Sequence, residues 1–221
     1  MISVLTYNAP HRKTQDLLMR LKIKGYNSIR VLAVPWVKRK NYKPLIPHRN
    51  FENLNIKPNE LALRLGYDFH EIVIEDLNKF KNDYILIGGA GILPEEVVNC
   101  GKIINSHPAY LPYVRGLDSL KWAIYNNEKI GVTTHIISKD CDAGKLIKRE
   151  IVPIYSWDTF HSLAFRQYDL EINMLVDSIE DVKIAVLEDL STEISKPTRR
   201  MPHSKEKELL KRFDKILNDL Q

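Results

Sequence analysis

Hydrophobic positions along this chain fall into two rhythms. Ile2–Tyr7 and Ser28–Val34 are short, nearly continuous apolar runs, the pattern of strands buried on both faces. Between them Leu17, Leu18 and Leu21 recur at helical spacing, predicting a helix over Thr14–Lys24 that Gly25 closes. Asn59–Leu65 reads as a short helix ending at Gly66, and Tyr67–Ile74 as a strand. Asp83–Ile87 is an apolar strand running into Gly88, Gly89, Ala90 and Gly91. Pro94–Cys100 fits a short helix with proline in its first turn and Gly101 past its end. Lys102–Asn105 is the next strand, Asp118–Asn127 a helix, and Ile130–Ser138 and Lys145–Pro153 are strands. A long amphipathic helix is predicted from Thr159 to about Leu190. After a Pro- and Arg-rich linker over 191–204, Lys205–Leu220 carries Leu209, Leu210, Phe213, Ile216 and Leu217 on one stripe.

Strands alternating with helices predict an α/β fold, a mostly parallel sheet with helices on both faces and a small C-terminal helical extension. The division expected is one domain over 1–190, followed by a linker and helix over 191–221. Ligands in such folds sit beyond the carboxyl ends of the strands. The stretch from Pro35 to about Pro58 breaks the alternation, and a loop of that length in a compact domain is usually functional.

Composition narrows the class. A hydrophobic share of 44% with 28% charged residues is that of an ordinary globular chain, which argues against a disordered one. No apolar run approaches a membrane span, and the N-terminus lacks a signal-peptide pattern. Cys100 and Cys141 make neither a disulfide framework nor a metal-ligand spacing, so a reducing cytoplasm is the expected compartment. The net charge of +5 suggests anionic partners. The basic groups cluster at His11-Arg12-Lys13, at Lys38-Arg39-Lys40 through Lys43, at His48-Arg49 and at Arg199-Arg200. Each cluster alone reads as solvated surface, but most lie in loops with proline or aromatic residues, where anions are met. An RNA-binding protein is a rival suggested by the charge, though no RNA-binding motif supports it; neither nucleic acid nor membrane is an expected partner.

The chemistry concentrates between Gly101 and Gly144. Asn105-Ser106-His107-Pro108 ends a strand; Leu111-Pro112-Tyr113-Val114-Arg115-Gly116, Gly131-Val132-Thr133-Thr134-His135 and Asp140-Cys141-Asp142-Ala143-Gly144 follow. An amide, an imidazole and a carboxylate beside chain-bending residues suit delivery of a carbonyl carbon to an amine: one steadies an oxyanion, one handles the proton, one orients the second. No histidine pair has i, i+4 spacing, so no metal is expected. Taken singly, Asn105 reads as a backbone cap and Asp142 as an Asx-turn residue.

On these motifs, residues from about 83 to 165 resemble the folate-dependent formyltransferases, which use N10-formyltetrahydrofolate as co-substrate. The resemblance implies a Rossmann-like formyltransferase fold, with 1–190 as catalytic domain. It makes Asn105, His107 and Asp142 the catalytic set and reverses the bland reading of each. It further implies that Gly89, Ala90, Gly91, Ile92 and Leu93 embrace the pterin. Ser138, Lys139, Asp140 and Cys141 would form the opposite wall, and His135 would line the site. Cys141 is not expected to act as a nucleophile.

The acceptor is read from departures. Methionyl-tRNA formyltransferases carry a C-terminal tRNA-gripping domain for which the stretch beyond the core is too short, and the hydrolase branch adds an N-terminal domain not seen here. Glycinamide ribonucleotide formyltransferase opens on a Gly/Ser-rich phosphate loop, whereas this chain has Asn8-Ala9-Pro10-His11-Arg12-Lys13 there. What remains is similar to the sugar N-formyltransferases, which act on amino sugars, nucleotide-linked or sialic-acid-like, in bacterial surface-glycan synthesis. His11, Arg12, Lys13, Lys43, His48, Arg49 and Arg115 are the residues expected to meet an anionic sugar. Glycinamide ribonucleotide is the alternative acceptor, and a catalytically silent folate or nucleotide-sugar binder the alternative of another class. Family analogy favours a homodimer.

Overall fold

A computed structural model describes residues 1–37, 42–48, 55–99 and 102–220. Eight strands form one sheet: β1 (Ile2–Tyr7), β2 (Ile29–Val34), β3 (Asp68–Glu71), β4 (Tyr84–Ile87), β5 (Ile103–His107), β6 (Gly131–Ile137), β7 (Gly144–Ile151) and β8 (Glu188–Leu190), in the order β3-β2-β1-β4-β5-β6-β7-β8. The first five in that order run parallel, and β6, β7 and β8 are each antiparallel to the preceding neighbour. The apolar runs are explained by this arrangement, because alternate residues of the central strands serve opposite layers. Val4, Val31, Leu86 and Ile104 face helices α1 (Arg12–Ile23), α2 (Pro58–Leu65) and α5 (Phe160–Ile184). Leu5, Leu32, Ile85 and Ile103 face the short α3 (Glu95–Val98) and a 3-10 turn over Ile74–Phe80.

Two expectations are corrected. The helix beginning after Thr159 ends at Ile184: Ala185 turns extended, and Glu188–Leu190 adds to the sheet against Gly144–Leu146. The 3-10 turn lies just beyond β3, where the expected strand over Tyr67–Ile74 proves shorter. The start of α5 is fixed by a capping box, Thr159 and Ser162 exchanging side-chain and backbone bonds.

The last segment is tied into the main body. Thr198 pairs with Gly116, Leu117 N donates to Thr198 O at 3.0 Å, and Met201 N donates to Asp118 Oδ2 at 2.9 Å. Residues 191–202 thus form a strap across the sheet's carboxyl end. Helix α6 (His203–Asn218) packs Leu209 and Phe213 against Leu120 and Ile124 of α4 (Ser119–Asn126). Lys121 and Glu206 form an ion pair there with no side-chain exposure.

Candidate active site

Asn105 and His107 stand two residues apart on β5 and so share one face of the sheet. The β6 register sets His135 opposite Asn105 and Thr133 opposite His107. The turn after His107 is fixed by its neighbours. Pro108 O accepts from Ser119 Oγ at 2.7 Å and from Gln167 Nε2 at 2.9 Å, while Thr133 Oγ1 donates to Ala109 O at 2.8 Å. Asp142 comes from the β6–β7 turn, at a φ of 47° in the left-handed region that Asp tolerates better than most residues. Its Oδ1 lies 3.2 Å from His107 Nδ1; its Oδ2 accepts from Gly116 N at 2.7 Å and from Cys141 Sγ at 3.3 Å.

The electrostatics follow from these contacts. Burial pushes the Asp142 carboxyl up, but His107, the Gly116 N–H and His135 outweigh it, leaving the group below the usual carboxylate range. An ionised Asp142 favours the tautomer with the proton on His107 Nδ1, which puts the ring's lone pair on Nε2. That Nε2 is buried and has no hydrogen-bond partner among the described residues. His135 donates from Nδ1 to Ala143 O at 2.8 Å, and burial above all lowers its pKa to about 4, so it stays neutral. The Cys141 thiol is pushed up to about 12, by desolvation first and Asp142 second, so it remains protonated rather than nucleophilic.

Two cavities meet at His107. The larger, of about 890 Å³, is lined by Tyr7, Val34, Pro35, Ile92, Cys141 and Asp142 among others. The smaller, of about 240 Å³, is more polar and is lined by His48, Ser119, Gln167, Tyr168, Glu171 and Arg200 among others. His107, Gly116 and Leu117 line both.

The expected site residues divide accordingly. Ala90, Gly91, Ile92 and Cys141 face the larger cavity. Leu93 is instead buried in the core beside Val97, and Gly89 is backed by the His11 and Tyr7 rings, which a Cβ there would meet at 2.9 Å. His135 has no exposed surface and lies behind the site rather than in its wall. Ser138, Lys139 and Asp140 do not line the larger cavity, and Lys139 lies 3.6 Å from Glu95 across the surface.

Of the described residues expected to meet an anionic acceptor, only His48 lines the smaller cavity. Lys13 is held by Glu171 at 2.7 Å, Arg12 by Asp16 at 2.8 Å, and His11 Nδ1 lies 3.0 Å from Thr14 Oγ1. Lys43 is exposed and away from both cavities, its carbonyl accepting from His203 Nε2 at 3.0 Å. Arg49, like Lys38, Arg39 and Lys40, lies outside the described residues. Arg115 requires the clearest correction. Its buried guanidinium donates twice to Cys141 O, at 2.9 and 2.6 Å, and also to Thr192 O and Ser195 O. It anchors the Asp142 turn and the strap to each other instead of reaching a ligand.

Gln167, Tyr168 and Glu171 were not singled out from the sequence. Their signal is present nonetheless: with Ser178 they are the polar groups on the mostly apolar, buried side of a long helix. Arg200 was singled out only as one of the Arg199-Arg200 pair, in a tail that resembles that of the sugar N-formyltransferases.

A carboxylate–imidazole pair thus stands at the junction of two cavities in an α/β protein, beyond the carboxyl ends of parallel strands. The chain belongs to the formyl transferase family, which residues 15–179 match. It is 32% identical over 151 residues to the methionyl-tRNA formyltransferase of Fusobacterium nucleatum, covering 66% of this chain and 46% of that protein. It thus spans about half the length of the curated relatives it matches. Among solved structures, the N-formyltransferase of Helicobacter canadensis, in complex with folinic acid and dTDP-3-aminofucose, superimposes with a TM-score of 0.64 at 19% identity, over 90% of this chain and 71% of that one. Phosphoribosylglycinamide formyltransferase of Anaplasma phagocytophilum gives 0.60 at 21% identity, over 87% and 94%.

Proposed function

We propose that this chain is an N-formyltransferase that moves a formyl group from N10-formyltetrahydrofolate to the amine of an amino sugar, nucleotide-linked or sialic-acid-like, in bacterial surface-glycan synthesis. The observation that carries this reading is His107. It lines both cavities, with Nδ1 on Asp142 and Nε2 left without a partner among the described residues. The larger cavity fits a flat aromatic heterocycle, being walled mainly by apolar side chains and by Ala90, Gly91 and Ile92. When bound there, the folate supplies the formyl carbon. The chain's own groups supply the rest. Asn105 donates its amide N–H to the oxygen on which negative charge grows. His107 Nε2 would take the proton released by the incoming amine and return it to N10 as the formyl–N10 bond breaks and tetrahydrofolate leaves, and Asp142 keeps the ring in the tautomer that allows it.

For the acceptor, the smaller cavity offers Gln167, Tyr168 and Glu171 to a polyhydroxylated ligand, and the Helicobacter canadensis neighbour is described with an aminofucose nucleotide. Glycinamide ribonucleotide is a second reading, favoured by the near-complete coverage of the Anaplasma phagocytophilum chain. The test mixes purified protein and N10-formyltetrahydrofolate with amino-sugar nucleotides, amino nonulosonates and glycinamide ribonucleotide, with mass spectrometry of every product. The expected result is one CO gained by an amino sugar and abolished by His107→Ala. Gain on glycinamide ribonucleotide alone overturns the sugar assignment. Folate binding without any gain indicates a silent binder.

A further inference from the structure

Arg200 is the only lysine or arginine among the described residues lining either cavity. Its side chain is 51% exposed, and its Nη1 donates to Asp118 Oδ1 at 2.7 Å. Asp118 is itself fixed. Its side chain is 1% exposed, its other oxygen accepts from Met201 N at 2.9 Å, and it stands at the N-cap of α4 with a φ of 56°. One edge of the guanidinium is therefore pinned to a buried carboxylate. Nε and Nη2 have no hydrogen-bond partner among the described residues.

That arrangement contrasts with the neighbouring cations. Arg115 is saturated by carbonyl oxygens, and Lys13 is held by Glu171 and Ser106 O. A guanidinium held at one edge and open elsewhere is oriented in advance, and it matches two oxygens of a carboxylate or phosphate in a way an ammonium cannot. Resting on the reading of the smaller cavity as the acceptor site, we propose that Arg200 is the acceptor's anion reader: the amine-bearing substrate carries a carboxylate or phosphate group that the Arg200 fork grips. Specificity for a charged acceptor then resides in the strap, not in the loop after β1 where a phosphate site is first sought. The imidazole of His48, in the same wall, is placed to add a second contact.

The experiment needs no turnover. Full-length protein without folate is titrated with inorganic phosphate, pyrophosphate, galacturonate and, as the uncharged control, galactose, followed by calorimetry. At least one anion is expected to bind and galactose not to bind at the same concentrations. Arg200→Gln should weaken that anion roughly 10–100-fold, the range for a charge-assisted hydrogen bond. Arg200→Lys, which keeps a charge for Asp118, should recover only part of the affinity, and Arg199→Gln should leave it unchanged. Galacturonate alone points to a sugar acid; pyrophosphate points to a nucleotide-linked sugar. If no anion binds, or if Arg200→Lys and Arg200→Gln both bind it as the parent does, the assignment is overturned. It is equally overturned if Arg199→Gln weakens binding as much as Arg200→Gln, because diffuse surface charge would then suffice. Once an acceptor is known, Arg200→Lys should raise its KM with kcat nearly unchanged. Because binding is read apart from formyl transfer, failure of either result leaves the other interpretable.

Discussion

At the scale of single residues, each member of the candidate set has its own physical reason to be there. Asn105 projects from a strand, so its amide is placed by the sheet and not by a loop. Asn105→Ala is expected to fold normally and lose on the order of 10²–10³ in turnover; single-turnover kinetics on the identified acceptor would check this. His135 makes a different prediction. Its imidazole is neutral when folded, at about 4, and titrates near 6.5 when unfolded. The unfolded chain therefore takes up the proton first. This stabilisation is complete above about pH 6.5, is lost as pH falls toward 4, and amounts to about 3 kcal/mol. Urea unfolding from pH 7 to 4 should show that loss, and His135→Asn should flatten it; parallel curves would assign the acid sensitivity elsewhere. Asn105, His107 and Asp142 could be singled out as candidates from the sequence because the first two share one short motif and the third stands in another. The pairing of Lys13 with Glu171 and of Arg115 with Thr192 was not, because those partners are remote in sequence and meet only in the fold. Among the described residues, positive charge counted along the chain overstated how many cations line the two cavities.

At the scale of elements, the buried strands were the readable part. β1, β2 and β4 are apolar on both faces and announce themselves; β8 does not, since Glu188 and Asp189 are exposed at the sheet edge and only Leu190 is buried. Length was legible for α1, but the end of α5 was not, because apolar residues continue past the point where Ala185 leaves the helix. The loop between β5 and α4 depends on Gly116, whose φ is 91° and whose absent Cβ would meet Thr198 O at 2.4 Å. Gly116→Ala must displace the strap or withdraw the N–H from Asp142. We expect a loss of activity on the order of 10²-fold, as displacements near 1 Å produce, with the far-ultraviolet spectrum retained. Activity within twofold of the parent would show that the Gly116 contact does not set the Asp142 carboxylate.

At the scale of the whole molecule, a fully buried ion pair joins helices distant in sequence, Lys121 with Glu206, and Glu206 Oε2 also accepts from Leu45 N at 2.9 Å. Removing one charge leaves the other stranded. Lys121→Met alone is expected to cost about 3–5 kcal/mol, and much of that should return when Glu206→Leu is added. Urea unfolding of the two single variants and the double would decide it; simple additivity would mean the pair is not coupled. The match to the family stops at residue 179, yet the strap that follows touches both cavities, through Pro197 and Thr198 in one and Arg200 in the other. A gene trimmed after residue 179 would encode Asn105, His107 and Asp142 and still yield half-walled cavities. Any transplant of the proposed activity into another protein, or any split reporter built from it, has to carry the tail along with the sheet.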